Sequence, residues 1–238
     1  FSIKLDNTSN LKLSTDGTFR HFKVNDVYNT ISQNGNYGLI NRNNRNIRNN
    51  GDQQTGNVSA LYTKKFKKTG RALSWNISEA YNNNNTKGYL NSVIDFYNPT
   101  TGNLDSLQTV NQYKTTDGLS SVLNSNITYS EPFSKTIALV FNYGLGFNNS
   151  HSNNRSFRQS PPGVYNILDS LYSNNYRYKQ TTNQIGGIFN FKTKKITLNF
   201  GTKVSAIDYK QIDAYTDIAY SRSYINFAPQ ASFQYSPS

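Results

Sequence analysis

The residues best suited to metal ligation or proton transfer in this chain are its two histidines, His21 and His151. They lie far apart, and no His/Cys cluster has the spacing of a zinc site. The chain has no Cys, which removes thiolate ligands, Cys nucleophiles and disulfides together. The 13 acidic residues are scattered. Asp105, Asp117, Asp169, Asp208, Asp213 and Asp217 fall in polar stretches, and no motif pairs two of them for hydrolysis. No Asp-x-Asp-x-Asp run offers a calcium loop. Gly144-x-Gly146 and Gly186-Gly187 sit inside alternating segments, not between a strand and a helix, so they do not read as a phosphate loop. The expectation is no catalytic, metal or cofactor-binding residue, no cofactor and no enzyme activity, with the ligand-binding residues unassigned.

The remaining chemistry is charge, a net +12. Lys64, Lys65, Lys67, Lys68 and Arg71 gather at one turn, and Lys192, Lys194 and Lys195 at another. Nucleic-acid binding needs cations interleaved with aromatics on one surface. These cap strand ends instead, so no nucleic-acid partner is expected. Arg42, Arg45, Arg48, Arg155 and Arg158 lie in polar segments away from those turns. They are the residues to meet the phosphates or carboxylates of an anionic partner.

The elements that position these residues are strands. From Thr136 the sequence reads T-I-A-L-V-F-N-Y-G-L-G-F-N. One parity holds Ile137, Leu139, Phe141, Tyr143, Leu145 and Phe147; the other holds Thr136, Ala138, Val140, Asn142, Gly144 and Gly146. A period of two is a β-strand with one apolar and one small or polar face. Leu119–Tyr129 alternates likewise, and Ser130–Lys135 joins the two segments as a turn. The same unit recurs. Val58–Phe66 and Leu73–Tyr81 flank Lys67–Arg71, and Ile185–Phe191 and Ile196–Ala206 flank Lys192–Lys195. A strand stub, Phe1–Leu5, precedes Asp6–Asn10 and an alternating run from Leu11 to about Lys23 follows it; Ile225–Tyr235 closes the series, and Ser236–Ser238 reads as a further turn. The spacing predicts about nine long strands and no helix. Asn25–Thr55, Asn82–Gly118, Asn149–Thr181 and Asp208–Arg222 read as long Asn-rich loops, since Asn favours turns.

Mean hydropathy is −0.71, yet aromatics reach 14%, with 18 Tyr and 14 Phe. A disordered chain is poor in aromatics and does not sort them by parity. A soluble sandwich, with glycans as its ligand, needs a well-packed aliphatic interior. Here the face opposite the apolar one is Ser, Asn, Thr, Gly and Gln, as in a barrel with lipid outside and water or a plug inside. Short turns on one rim and long segments on the other match short periplasmic turns and long extracellular loops.

Three phrases carry a family resemblance. Y-T-K-K-F-K-K-T-G-R-A-L-S-W-N-I-S from Tyr62, N-I-T-Y-S-E-P-F-S-K-T-I-A-L from Asn126 and F-N-F-K-T-K-K-I-T-L-N-F-G from Phe189 resemble the barrel of TonB-dependent outer-membrane receptors. The nearest type is the outer-membrane β-barrel family of large Asn- and Tyr-rich barrels. The resemblance implies a 22-stranded barrel with an N-terminal plug and energised uptake of a large nutrient. The sequence contains no Met, so the chain is expected to be a piece of a longer protein. No plug region or TonB box is found in it, so plug and TonB would meet it through other parts of the parent.

The expected fold is therefore all-β: an antiparallel up-and-down meander of about nine long strands, part of a transmembrane β-barrel. Residues 1–238 are expected to form a single partial barrel domain in a Gram-negative outer membrane. Its expected partners are outer-membrane lipid and lipopolysaccharide, with an extracellular ligand at the long loops. The expected function is solute uptake by a TonB-dependent receptor. The alternative is a structural or adhesive barrel that binds a ligand and transports nothing.

Overall fold

A computed structural model describes residues 1–236. Its strands are β1 (Ser2–Lys4), β2 (Ser9–Gln33), β3 (Leu39–Lys65), β4 (Ala72–Tyr97), β5 (Leu104–Pro132), β6 (Ile137–Gln159), β7 (Tyr165–Leu168), β8 (Asn174–Lys192), β9 (Ile196–Asp213) and β10 (Ile218–Tyr235). They form one sheet of nearest neighbours, β1-β2-β3-β4-β5-β6-β8-β9-β10, with β7 paired to β6 beyond the end of β8. Every pairing is antiparallel. The expected meander is what the strands form, with ten of them among the described residues. A single 3-10 turn, Ser170–Tyr172, is the one helical element there.

The four expected tight turns all lie on one rim. At the first, the Asp6 carboxylate accepts from the Thr8 amide at 2.6 Å and the Thr8 hydroxyl at 2.7 Å. At the second, Gly70 adopts φ +85°, a left-handed conformation open to glycine without strain, and Phe66 N–H donates to the Arg71 carbonyl. Ser134 and Thr193 side chains close the other two by accepting backbone N–H groups. The further turn expected at Ser236–Ser238 falls, from Pro237 on, outside the described residues.

The long loops are a correction. Asn25–Thr55 is not a loop: β2 and β3 stay in register from Ser9↔Lys64 to Ser32↔Asn41, shift once to Gln33↔Leu39, and turn only at residues 34–38. Asn82–Gly118 continues β4 and β5, which pair out to Tyr97↔Leu104. Asn149–Thr181 continues β6 and β8, and Asp208–Arg222 continues β9 and β10. The physical reason is pairing. Asn is a poor strand former alone, but here each stretch lies against a partner whose ladder accepts its backbone groups. The few Asn residues that do make turns are marked by their side chains: Asn34 Oδ1 accepts from the amides of Asn36 and Gly38, and Asn98 Oδ1 from those of Thr100 and Thr101.

The strands are accordingly long. β5 has 29 residues, or roughly 95 Å at 3.3 Å per residue, whereas crossing a bilayer takes 9–11 residues. Apart from Pro132 at the rim, no apolar side chain is buried among the described residues. The sheet has no second layer, so the soluble sandwich is not what these strands build.

Candidate functional site

Register sorts the side chains into two faces. Read across the strands, one row runs Ile3, Leu11, Tyr62, Trp75, Ile127, Tyr143, Ile185, Val204 and Phe227. Neighbouring rows add Phe141 and Tyr129, then Phe189 and Phe200, then Ile137, Phe191, Leu198 and Phe233. Trp75, Phe141, Tyr143 and Phe200 are exposed. The Trp75 indole donates to Ser125 Oγ at 2.9 Å, so this apolar face leaves no indole N–H unpaired. On β6 the apolar face spans Ile137 to Phe147. At ~3.3 Å per residue and the usual tilt that is roughly 25 Å of height, the thickness of an apolar barrel band.

The band slants across the sheet. Leu73, its last residue on β4 before Arg71, aligns through Tyr129, Phe141 and Gly187 with Thr202 on β9. On β9 the band continues six residues further, to Ile196. That drop of roughly 20 Å over four strand spacings of ~4.8 Å corresponds to a tilt of about 45°, at the upper end of the range for outer-membrane barrels.

The opposite face is polar at the same level. Asn10, Thr63, Ser74, Thr128, Asn142 and Gly186 align in one row, and Asn76, Asn126, Gly144, Gln184 and Ser205 in the next. Asn142 Nδ2 donates to Asn126 Oδ1 at 2.7 Å and to Thr128 Oγ1 at 2.9 Å. Gly144 and Gly146 leave room for these amides: a Cβ at Gly146 would stand 3.2 Å from Asn124 Oδ1. The result is a shallow cleft of about 270 Å³ lined by Asn124, Asn126, Gln180, Thr182 and Gln184. Further out, Tyr178, Tyr209 and Tyr224 follow one another across three strands with ring centroids 6.0 and 6.5 Å apart. The Tyr178 hydroxyl bonds to the Gln180 amide. Burial pushes the Tyr178 phenol up, helped by the neighbouring tyrosines. Flat rings beside amides can hold a neutral, hydroxyl-rich or aromatic solute. The sequence pattern does not single out this group, because Tyr178 and Tyr209 fall in stretches that read as loops, where parity has no meaning, and Tyr224 falls between a loop and the last strand.

One excursion also rests on the polar face. Between β7 and β8 the chain bulges out at Asp169–Ser173. Asp169 is nearly buried and accepts from Gln112 Nε2 at 3.0 Å, while Arg158 approaches it at 3.5 Å. The Lys114 ammonium lies over the Tyr172 ring, 5.9 Å from its centroid. Asp169 and Arg158 are thus a structural pair.

The histidines stay apart. Both lie on the band's face but on separate strands: His21 on β2 bonds to Asp52 at 2.8 Å, and His151 on β6 lies 3.4 Å from Asp117. The arginines divide by parity. Arg42, Arg48 and Arg155 project on the band's own face, above it, while Arg45 and Arg158 project on the polar face, where Arg45 covers the Tyr28 ring at 5.0 Å. At the rim of tight turns, Glu131 accepts from Arg71 at 2.8 Å, Lys68 at 2.7 Å and Tyr129 at 2.6 Å. Arg71, then Lys68 and Tyr129, hold its carboxyl down to about 2.

The family described as outer membrane protein beta-barrel family matches residues 64–238. The chain belongs to this family. It is an outer-membrane β-barrel protein, and the apolar band of its barrel is the surface that meets the hydrocarbon of the outer membrane. No curated protein matches the sequence. Among solved structures, the ferric citrate transporter FecA in its unliganded form is similar over all of this chain, with 10% identity and a TM-score of 0.44. The chain spans 41% of that transporter's length. The outer membrane protease OmpT from Escherichia coli is similar over 96% of each chain, with 11% identity and a TM-score of 0.27.

Proposed function

We propose that residues 1–238 are a barrel segment of a TonB-dependent receptor, a conduit for solute rather than an enzyme. The observation that carries this reading is the polar face. On β8 its side chains run Gln184, Thr182 and Gln180 to Tyr178, which stands beside Tyr209 and Tyr224. A closed wall of this kind encloses a wet lumen that offers hydrogen bonds at every level. Plug and TonB would act from other parts of the parent chain, and the outer hairpins would meet the extracellular ligand. The test compares a deletion strain with its complemented parent for uptake of labelled ferric chelates and oligosaccharides. Energised transport requires accumulation that an uncoupler abolishes. Equal accumulation in both strains, or uptake indifferent to the uncoupler, overturns it.

A second reading rests on the outer halves of the strands. Paired hairpins with short turns make a rigid projecting wall, as an adhesive or structural barrel needs. In that case the complemented strain binds a surface partner and accumulates nothing.

A further inference from the structure

Above the apolar band, on the same face, lies a tier of cations. Lys23, Lys87 and Arg155 occupy one register row, separated by Asn50 and Thr115. Lys179 stands directly opposite Lys210, and Arg177 directly opposite His151. Arg48 projects from the next row out, beside Tyr89. All these lysines and arginines are exposed, and among the described residues none makes an ion pair within 4.0 Å.

Two features say this is not ordinary surface charge. Like charges directly opposite one another in a sheet destabilise it, yet Lys179 and Lys210 are such a pair. Asp208, on the same face, pairs with neither of them; Asp52 and Asp117 are turned to the histidines. The tier also follows the slant of the band. Lys179 and Lys210 share a register row with Tyr81. Tyr81 marks the band's upper edge on β4, but on β9 the band already ends at Ala206. From Phe19 to Lys23, Tyr81 to Lys87, Phe147 to Arg155, Ile185 to Lys179 and Ala206 to Lys210, the cations stand roughly 10–20 Å above the local edge. A tier of cations roughly 10–20 Å above the apolar band is where a membrane's charged layer would be met.

We propose that Lys23, Lys87, Arg155, Arg177, Lys179 and Lys210 hold the phosphate groups of the outer-leaflet glycolipid. Lysine stems reach down along the wall to the headgroups, and arginine forks take phosphate oxygens bidentately. The Lys179–Lys210 pair, with Arg177 beside it, is the strongest site, because one phosphate there offsets a repulsion already present in the fold. The apolar band supplies the acyl-chain surface beneath.

The test uses the full-length parent protein, extracted in mild detergent, with bound lipid counted by native mass spectrometry. Two variants lose the same charge: Arg177→Gln, Lys179→Gln, Lys210→Gln on the band's face, and Lys114→Gln, Lys203→Gln, Arg222→Gln on the polar face. Heat-modifiable migration in gels confirms that each is folded. The first triple should lose phosphorylated lipid A at least about tenfold relative to wild type, and the second should retain it. An Arg177→Lys, Lys179→Arg, Lys210→Arg protein should regain it. Equal loss in both Gln triples overturns the proposal. So does equal retention of phosphorylated and dephosphorylated lipid A, or competition by inorganic phosphate at the lipid's own concentration. If the first triple fails to fold, Lys179→Gln alone decides by the same ratio.

Discussion

The two halves of each long strand share one hydrogen-bonded ladder and differ in everything attached to it. Near the tight turns, β6 alternates Leu139, Phe141, Tyr143 and Leu145 with Val140, Asn142 and Gly144; from Ser150 to Ser156 it reads S-H-S-N-N-R-S with no apolar face. The backbone does not register the change: β6 pairs with β8 without a break from Ile137↔Phe191 to Asn154↔Asn174. Strand formation and membrane placement therefore have separate causes. Paired backbone groups make the strand in both halves. Side-chain solvation decides which half meets lipid.

The largest expected effect tests that division. Phe141→Arg places a charge on the lipid face at mid-band and should cost roughly 2–4 kcal/mol. Asn142→Arg, one residue on but facing the polar side, should cost far less, and Phe147→Arg, nearer the edge, should fall between. Asn153→Arg, on the same face in the outer half, should be close to neutral. Denaturant titration of the parent protein folded into vesicles measures all four. Equal costs at 141 and 142 would remove the lipid face.

The next effect tests whether the outer half is a true ladder. Gly88 is buried between β3 and β5, and a Cβ there would strike the Arg48 carbonyl oxygen. Gly88→Ala should destabilise this region by roughly 1–3 kcal/mol, as overpacking does. Gly187, inside the band, has nothing within 4 Å of its missing Cβ, so Gly187→Ala should be mild. If residues 82–97 were a loop, Gly88→Ala would be as mild as Gly187→Ala.

Hydrogen exchange sharpens the same point without mutation. Amides of Asn82–Asn85 and Lys114–Gly118 should be protected, because both segments lie in the β4–β5 ladder, whereas those at Asn34–Gly38 and Asn98–Asn103 should exchange early. Uniform fast exchange across Asn82–Gly118 would restore the loop reading.

The smallest effect belongs to the rim. The Glu131 carboxyl is held at about 2, below its ordinary value of 4.5. A depressed carboxylate contributes stability that is complete above the ordinary value and lost as pH falls from about 4.5 towards 2. Acid titration of wild type against Glu131→Gln should show a small difference at neutral pH that closes across that window. A difference that grows on acidification contradicts the assigned pairing.

Much of this molecule was written into local pattern. Parity in Thr136–Asn148 marks the band, because an even period is a property of the strand itself. Turn chemistry at Asp6, Gly70, Ser134 and Thr193 marks one rim, because each turn is closed by its own residues. The outer halves were illegible for a stated reason. N-R-N-N-R-N-I-R-N-N at Asn41–Asn50 has no alternation to read, and asparagine's preference for turns points the wrong way.

What the sequence by itself determined is the apolar face and where its strands reverse near the basic rim, since both depend on residues within a few positions of each other. Only the tertiary structure decided how far the strands run, which tyrosines meet, and that Lys179 faces Lys210. Those outcomes depend on register between segments up to tens of residues apart. Register is fixed where apolar side chains choose a face, and from there the continuous ladder carries it out through the Asn-rich halves, which could not have set it alone.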